Sequence, residues 1–282
     1  MATIIDGKAL AVKCKEEVKT AVAAMEEKPG LAVILVGENP ASQVYVKNKR
    51  KDCDECGIIS EEFVLPADYG QEALLKLIQS LNERRDIDGI LCQLPLPVGY
   101  DYDEETVLLA IDPGKDVDAF HPYNVGHIMI GDPSFLPCTP AGVIRMLDEY
   151  QIDVEGKNCV VVGRSNIVGK PMAMLLLHRN GTVTVCHSHT PDLAAVTRQA
   201  DILVSAVGRR NVITADMVKP GAVVIDVAMN RNEQGKLCGD VDFEPVSQIA
   251  SYITPVPGGV GSVTTSVLIG HVIEAAIRKA GK

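Results

Sequence analysis

The chain has 282 residues, of which 46% are hydrophobic and 23% charged, and a formal net charge of −10 at pH 7. This composition is typical of a globular protein, and the length suffices for one large domain or two ordinary ones. The acidic balance argues against a general nucleic-acid binder, which would carry a basic face, but it does not exclude a local basic cluster that binds an anionic small molecule.

Helical and strand patterns alternate along the first half of the chain. Periodicity and turn residues predict helices at 6–28, 41–56, 71–83, 103–110 and 140–150, and strands at 31–36, 58–65 and 89–93. Residues 112–137 are predicted to be mostly loop, and the domain boundary is expected near residue 140.

The second half repeats the alternation with shorter segments. The predicted strands and helices are, in chain order, a strand at 158–162, a helix at 172–179, strands at 182–186 and 202–205 with a helix at 193–199 between them, a strand at 222–227 and a final helix at 262–279. Strands that alternate with helices predict an α/β protein with a mostly parallel sheet.

The N-terminus and the cysteines indicate the compartment. Asp6, Lys8 and further lysines come too early for a signal peptide, and we see no apolar run of the roughly 18 residues that a membrane span needs. The eight cysteines are scattered, as expected of reduced thiols in a cytoplasmic protein. Cys53 and Cys56 form the one close pair; without a second such pair, a structural role is favoured over a redox or zinc role.

A glycine-bounded turn follows an apolar strand in the segment 160–171, which reads VVVGRSNIVGKP. Such a turn at the start of a helix points backbone N–H groups at a phosphate. Five residues separate the two glycines and Pro171 follows Lys170, so the phosphate-loop pattern of nucleoside triphosphatases fails. The usual dinucleotide fingerprint fails too, because Arg164 and Ser165 replace its close glycine pair. The segment therefore predicts a dinucleotide turn that contains an arginine.

The next strand, 182–186, favours NADP over NAD. NAD-selective folds end this strand with an acidic residue that binds the ribose 2′-hydroxyl, but here His187, Ser188 and His189 follow it. Ser188 could donate to a 2′-phosphate, and Arg164 could pair with it. The alternatives are a plain polar loop, or a metal site at the two histidines, which have no third ligand nearby.

Other candidate residues lie outside this turn. Tyr45 and Lys49 are four apart and share one helix face. A Tyr-x-x-x-Lys pair also occurs in short-chain dehydrogenases, but there it follows the nucleotide turn. Here it precedes that turn by more than a hundred residues, which argues against that family. Gln93 comes at the carboxyl end of a predicted strand, where α/β sheets bind ligands, and Asp118 is a possible ligand anchor. The segment 254–262, TPVPGGVGS, allows close backbone approach to a ligand, and its Ser262 is predicted to cap the last helix.

Six motifs occur together in one order over nearly the whole chain. They are Tyr45-x-x-x-Lys49, QLPLP at 93–97, KDVD at 115–118, PCTP at 137–140, VGRS at 162–165 and PGGVG at 257–261. In this combination the chain resembles the bifunctional methylenetetrahydrofolate dehydrogenase/methenyltetrahydrofolate cyclohydrolase family, and FHPYNVG at 120–126 resembles its bacterial form.

The resemblance implies an N-terminal α/β domain joined to a Rossmann-like NADP-binding domain, with a cleft between them. The folate-binding catalytic domain would comprise 1–139 and the C-terminal helix 262–282, and the NADP-binding domain 140–261. It further implies oxidation of 5,10-methylenetetrahydrofolate with NADP, followed by hydrolysis to 10-formyltetrahydrofolate, a step of one-carbon metabolism that feeds purine biosynthesis. A cytoplasmic homodimer that binds tetrahydrofolate derivatives, but neither nucleic acid nor membrane, is expected.

The resemblance also implies roles for single residues. The catalytic residues would be Lys49, Gln93, Tyr45 and Asp118. The same four would bind the folate, together with a loop made of Pro257, Gly258, Gly259, Val260 and Gly261. The cofactor would be bound by Gly163, Arg164, Ser165, Ser188 and Met229. Whether Lys49 is the base of the hydrolysis or an electrophilic stabiliser stays open at this point, with Gln93 as its hydrogen-bond partner and Tyr45 against the folate.

The chain departs from the family pattern at a few positions. Ala119 and Ala228 stand where glycine is more common, and Ser262-Val263 where Pro-Met is common. The change at Ala228, next to Met229, puts cofactor affinity in question, whereas the catalytic positions all match. Two alternatives are a dehydrogenase with weak hydrolase activity and a folate- or nucleotide-binding module without turnover, and the presence of Lys49 and Gln93 argues against both.

Overall fold

A computed structural model describes residues 1–281, apart from the side chain of Ala41. The strands are β1 Thr3–Ile4, β2 Gly30–Val36, β3 Ile59–Leu65, β4 Gly89–Cys92, β5 Asn158–Val162, β6 Thr182–Cys186, β7 Ile202–Ser205, β8 Val223–Asp226, β9 Asn230–Arg231, β10 Leu237–Cys238 and β11 Tyr252–Ile253. The helices are α1 Gly7–Ala23, α2 Pro40–Cys56, α3 Gln71–Glu83, α4 Glu104–Leu109, α5 Pro122–Ile130, α6 Cys138–Glu149, α7 Gly169–His178, α8 Leu193–Thr197, α9 Phe243–Ser247 and α10 Val260–Ala280, with a 3-10 turn at Ala215–Met217.

The chain forms two compact units. The first unit comprises Met1–Val12 and Pro137–Thr264, and the second comprises Lys13–Leu136 and Thr265–Lys282. The predicted domain ranges differ from these units by a few residues at each boundary and by the N-terminal segment. That segment belongs to the first unit because β1 pairs in parallel with β11.

The second unit contains a three-stranded parallel sheet in the order β3-β2-β4. The central strand β2 reads GLAVILV and is buried at every position, as expected of a strand covered on both faces. Leu74, Ile78 and Leu81 of α3 recur at helical spacing and pack against this sheet. The order places the carboxyl ends of β2 and β4 side by side, which positions Gln93.

The first unit contains a six-stranded parallel sheet in the order β1-β11-β8-β7-β5-β6. Strand β5 therefore lies between β6 and β7, so the turns after these three strands meet at one edge of the sheet. Val160 and Val162 of β5 share one buried core cluster with Leu203 of β7 and Val224 of β8. Strands β9 and β10 form a separate antiparallel pair.

The predicted elements agree with the structure to within a few residues for the long periodic segments, and the predicted mostly parallel α/β architecture is confirmed. The segment 112–137, predicted to be mostly loop, also contains α5, which was not predicted. Local chemistry defines this helix: the His121 side chain accepts from the Tyr123 N–H, Pro122 occupies the first turn, and Gly131 ends the helix with φ of 81°. With nine residues, the helix is too short to show a clear helical periodicity in the sequence.

Helix α10 differs from its prediction in two ways. It begins at Val260, so Ser262 does not cap it; instead the Ser262 N–H donates to the Gly259 carbonyl at 3.0 Å. By length and composition it could cross a membrane, with a mean hydropathy of 1.5, which the sequence pattern had not revealed. Because 61% of its most apolar window is buried inside protein, it also has the character of a core helix.

Candidate active site and cofactor cavity

Lys49 and Gln93 form the centre of a polar group in the second unit. Lys49 lies on α2, which follows β2, and Gln93 follows β4. The Lys49 Nζ donates to the Gln93 Oε1 at 3.0 Å, and the Gln93 Nε2 donates to the Leu94 carbonyl at 2.8 Å. Both side chains are half-buried. Because the Gln93 nitrogen donates to the Leu94 carbonyl, the amide oxygen must face the lysine. Gln93 is therefore a fixed hydrogen-bond acceptor for the Lys49 side chain.

Asp118 lies on a segment that several long-range hydrogen bonds hold in place. Its neighbour Asp116 is buried and accepts from the His121 N–H at 2.8 Å and from the Asn124 Nδ2 at 2.9 Å. Burial raises the pKa of Asp116, and the hydrogen bonds from His121 and Asn124 oppose that change. The backbone at 116–118 is thus positioned by a carboxylate that itself faces no solvent.

A buried histidine contacts the same segment. The His271 Nδ1 lies 2.8 Å from the Val117 carbonyl oxygen, which can only accept, so Nδ1 carries the proton. Burial lowers the pKa of His271 and favours the neutral ring. His271 also packs at 5.4 Å, centroid to centroid, on the ring of Phe135. Asp118 itself is half-buried and follows directly after this fixed carbonyl.

Tyr45 lies one turn before Lys49 on α2 and is 38% exposed. The residue is therefore partly exposed on the surface of the second unit. The loop 257–261 belongs to the first unit, where the Gly7 N–H donates to the Gly258 carbonyl at 2.9 Å. Gly258 has φ of 105°, a conformation that favours glycine. The structure thus brings Lys49 and Gln93 together by a direct hydrogen bond.

The dinucleotide turn has the geometry that its sequence predicts. Gly163 has φ of 130°, and a Cβ there would lie 2.4 Å from the Ala206 carbonyl oxygen. A Cβ on Gly169 would lie 2.3 Å from the Gly163 carbonyl oxygen, so the turn closes tightly before α7 begins. The Ser165 Oγ accepts from the N–H groups of Val168 and Gly169, both at 3.2 Å. Both glycines are therefore required, and Ser165 binds the first turn of the helix.

Four of the five predicted cofactor residues line one cavity of about 310 Å³ in the first unit. They are Gly163, Arg164, Ser165 and Ser188. The apolar part of the wall includes Leu193, Val207 and Val212, which are able to contact a flat ring. Cationic groups, hydroxyls and an apolar wall beside a helix N-terminus fit the adenosine half of a dinucleotide with a phosphate on its ribose.

Met229, the fifth predicted cofactor residue, does not line this cavity. It follows β8 and is 44% exposed, and its Sδ lies 3.1 Å from where a Cβ of Gly261 would be. His187 lines the cavity, and its Nδ1 accepts from the His189 N–H at 3.2 Å. Over residues 1–281, no cluster of three or more His, Cys, Asp or Glu side chains is arranged to hold a metal ion.

Sequence reasoning missed Arg209 and Asp240. Arg209 lines the same cavity as Arg164, and the fully buried Asp240 binds the turn that carries it. Asp240 follows β10 and is distant in sequence from Arg209. The available signal in the sequence was the pair of arginines in the turn after β7. Its meaning depends on the strand order, because only the position of β7 beside β5 brings the two turns to one edge of the sheet.

The cysteine pair has no geometry that favours reactivity. Cys53 and Cys56 are both buried, and burial raises the pKa of Cys53 to about 12 and also that of Cys56. A thiol with a raised pKa is a poor nucleophile and a poor metal ligand. The structural role that the sequence favoured agrees with this environment.

Two sequence families match the chain in tandem. The model described as "Tetrahydrofolate dehydrogenase/cyclohydrolase, catalytic domain" matches residues 5–118, and the one described as "Tetrahydrofolate dehydrogenase/cyclohydrolase, NAD(P)-binding domain" matches residues 137–280. A curated relative from Acetivibrio thermocellus, called "Bifunctional protein FolD", is 57% identical over 278 residues, which cover 98% of this chain and 97% of the relative.

Solved structures agree over the whole length. A bifunctional methylenetetrahydrofolate dehydrogenase/cyclohydrolase from Campylobacter jejuni superposes with a TM-score of 0.96 at 50% identity, covering 99% of both chains. The enzyme of Trypanosoma brucei, solved with NADP cofactor and inhibitor, has a TM-score of 0.95 at 39% identity, covering 100% of this chain and 99% of that one. The chain therefore belongs to the tetrahydrofolate dehydrogenase/cyclohydrolase family.

Proposed function

We propose that this protein is a bifunctional enzyme of one-carbon metabolism. It oxidises 5,10-methylenetetrahydrofolate to 5,10-methenyltetrahydrofolate with NADP, and hydrolyses the product to 10-formyltetrahydrofolate. The observation that carries the proposal is the hydrogen bond between Lys49 and Gln93 in the unit that matches the catalytic domain. A binding protein without turnover has no chemical need for a lysine with a fixed amide partner.

The hydrolysis requires a group that accepts a proton from water. As the water oxygen bonds to the methenyl carbon, one of its two protons passes to Lys49 Nζ and a neutral hydroxyl adduct forms. The bond from that carbon to N5 then breaks; N5 keeps the electron pair and takes up a proton, while the hydroxyl group loses its proton and becomes the formyl carbonyl. The net reaction releases one proton, which passes from Lys49 to the solvent. A neutral amine has two N–H groups and a lone pair, so Lys49 can still donate to Gln93 while the lone pair takes the proton. We therefore assign Lys49 as the proton acceptor and Gln93 as the residue that aims it.

The oxidation requires positioning more than acid–base chemistry, because the N5 and N10 lone pairs assist the departure of hydride. Bound NADP would supply the hydride acceptor. Gly163 and the N-terminus of α7 would bind the pyrophosphate through backbone N–H groups, and Arg164 and Ser188 would bind the 2′-phosphate. The cavity in the first unit, with both side chains in its wall, supports this assignment.

The remaining predicted residues would bind the folate. Asp118 would accept hydrogen bonds from the amino and ring N–H groups of the pterin, and Tyr45 would pack against the folate. The fixed backbone at Val117 supports the first role, since a carboxylate that recognises two donors needs a defined position. The loop 257–261 would close over the substrate, and its glycines allow close approach of the backbone.

One assay tests both reactions. The purified protein is given methylenetetrahydrofolate and NADP, and NADPH and methenyltetrahydrofolate are followed together by their absorbance. We expect NADPH to form without lasting accumulation of the methenyl compound. Absence of NADPH would contradict the proposal, and NADPH with methenyl decay no faster than in buffer would reduce it to a dehydrogenase.

We further propose a cytoplasmic homodimer that associates with neither nucleic acid nor membrane. The net charge of −10 supports the expectation about nucleic acid. Cysteines that form no disulfide within the described residues support the cytoplasmic location. Light scattering at several protein concentrations gives the oligomeric state, and a mass of about 30.2 kDa at all of them would contradict a dimer.

A further inference from the structure

The cofactor cavity of the first unit has an unusual balance of charge. Its eleven lining residues include Arg164 and Arg209, one histidine and two serines, but no aspartate or glutamate. Both guanidinium groups lack a side-chain hydrogen bond or ion pair among the described residues. Two unneutralised guanidinium groups in one cavity of about 310 Å³ repel each other, and an anion between them removes that repulsion.

The position of Arg209 is set by a buried carboxylate. Asp240 is 0% exposed, and its Oδ1 accepts from the Arg209 N–H at 2.7 Å and from the Asn230 Nδ2 at 3.0 Å. Its Oδ2 accepts from the Ser205 Oγ at 2.9 Å and from the Val207 N–H at 2.7 Å. The turn after β7 is thus held rigidly to the protein interior, while Arg209 lines the cavity.

The neighbouring arginine provides a contrast. Arg210 does not line the cavity, and its Nη1 lies 3.9 Å from the Glu233 Oε1 in an exposed ion pair. Arg209 and Arg210 are therefore adjacent, both exposed and of equal charge, but only Arg209 lines the cofactor cavity. Alanine substitutions at these two positions give variants of the same net charge, of which only the one at Arg209 alters the cavity.

We propose that Arg209 is a second guanidinium contact of the NADP 2′-phosphate, and so determines cofactor specificity together with Arg164. The inference rests on the proposed use of NADP. The 2′-phosphate is chosen over the pyrophosphate because Arg209 shares its cavity with His187 and Ser188, which follow β6. The turn after this strand is where a Rossmann sheet holds the ribose 2′ substituent, whereas the pyrophosphate is bound by the helix N-terminus.

The test compares two small probes in the full-length protein. Adenosine 2′,5′-bisphosphate and adenosine 5′-monophosphate differ only by the 2′-phosphate, and their affinities are measured by calorimetry at pH 7.5. For Arg209→Ala we expect the bisphosphate to bind about 10- to 100-fold more weakly, as for loss of one charge-assisted hydrogen-bond pair. Monophosphate affinity should change by less than about twofold. Arg209→Lys should fall between the two proteins, since it keeps charge without the planar fork.

Arg210→Ala is the matched control, and it should leave both affinities within about twofold. Equal weakening of both probes by Arg209→Ala would place Arg209 on the 5′-phosphate and overturn the proposal, as would no change in either. Because the Arg209 side chain is exposed, its removal should leave the thermal midpoint unaltered.

Failure of the proposed function has a separate signature. A wild-type protein that prefers the bisphosphate but does not turn over methylenetetrahydrofolate would refute the enzyme and leave the Arg209 assignment standing. A wild-type protein that binds both probes equally would instead refute the 2′-phosphate site.

Discussion

Lys49 and Gln93 are 44 residues apart in the chain, yet the Nζ of one donates to the Oε1 of the other at 3.0 Å. Because Gln93 is itself held by the Leu94 carbonyl, the pair has a defined geometry before any substrate binds. A preformed donor–acceptor pair of this kind lowers the cost of arranging a proton acceptor at the moment of reaction.

Lys49→Met tests this pair directly. Methionine keeps the length of the side chain and removes the amine, so we expect the hydrolysis to slow by about 10²-fold or more, within the range of general acid–base catalysis. Folate binding should remain measurable by fluorescence titration. Lys47→Met, an exposed position on the same helix, is the control and should retain wild-type hydrolysis. Hydrolysis at the wild-type rate in Lys49→Met would show the assignment to be wrong.

Arg164→Ala tests the cofactor preference. Loss of a guanidinium that pairs with a 2′-phosphate should raise the KM for NADP by about 10- to 100-fold. The KM for NAD should change by no more than about threefold, since NAD has no charge at that position. Steady-state rates with each cofactor give the comparison. If both values rise by the same factor, Arg164 contacts a part that the two cofactors share.

Asp226 gives the stability of the first unit a specific pH dependence. It is 3% exposed, and burial raises its pKa from 3.8 to about 6, opposed by hydrogen bonds from the Val241 and Asp240 N–H groups. Between these two values the folded state binds more protons than the unfolded state, so a rise in pH lowers the free energy of unfolding. The effect is absent below pH 3.8 and complete above about pH 6.

The measurement is urea unfolding of the wild type and of Asp226→Asn from pH 4 to pH 7. The asparagine does not titrate, so other groups cancel in the difference. The change in pKa from 3.8 to about 6 corresponds to about 3 kcal/mol in full, and part of it is already expressed at pH 4. We therefore expect the stability of the wild type relative to the variant to fall by about 2 kcal/mol across this range. A difference that stays constant with pH would contradict the prediction.

Ala119→Gly tests the departure next to Asp118. Ala119 has φ of 57°, which costs about 1 kcal/mol for a residue with a Cβ, but its buried methyl packs with Phe135 and Ala275. Relief of the backbone strain and loss of the methyl contact nearly cancel, so we expect the free energy of unfolding to change by less than about 1 kcal/mol. Chemical denaturation measures it, and a loss above about 2 kcal/mol would mean that packing dominates.

Local patterns predicted much of the fold. The strand, glycine turn and helix from β5 to α7 follow from apolar residues, two glycines and a helix start that are close in sequence, and β5, β6 and β7 agree with their predicted bounds. The short helix α5 and the two-residue strands β1 and β11 were missed. Elements of one or two turns, or of two residues, carry too little periodicity to be recognised, and long-range pairing or capping stabilises them instead.

The sequence by itself determined which chemistry was possible: a lysine and a glutamine in recognisable motifs, an arginine in a dinucleotide turn, and no acidic residue at the end of β6. Tertiary structure alone decided which side chains meet. The parallel pairing of β2 with β4 puts Gln93 beside Lys49, and the position of β5 between β6 and β7 brings Arg209 into the cavity of Arg164. Such contacts depend on strand order, which arises from packing of the whole sheet and is not encoded in any one segment.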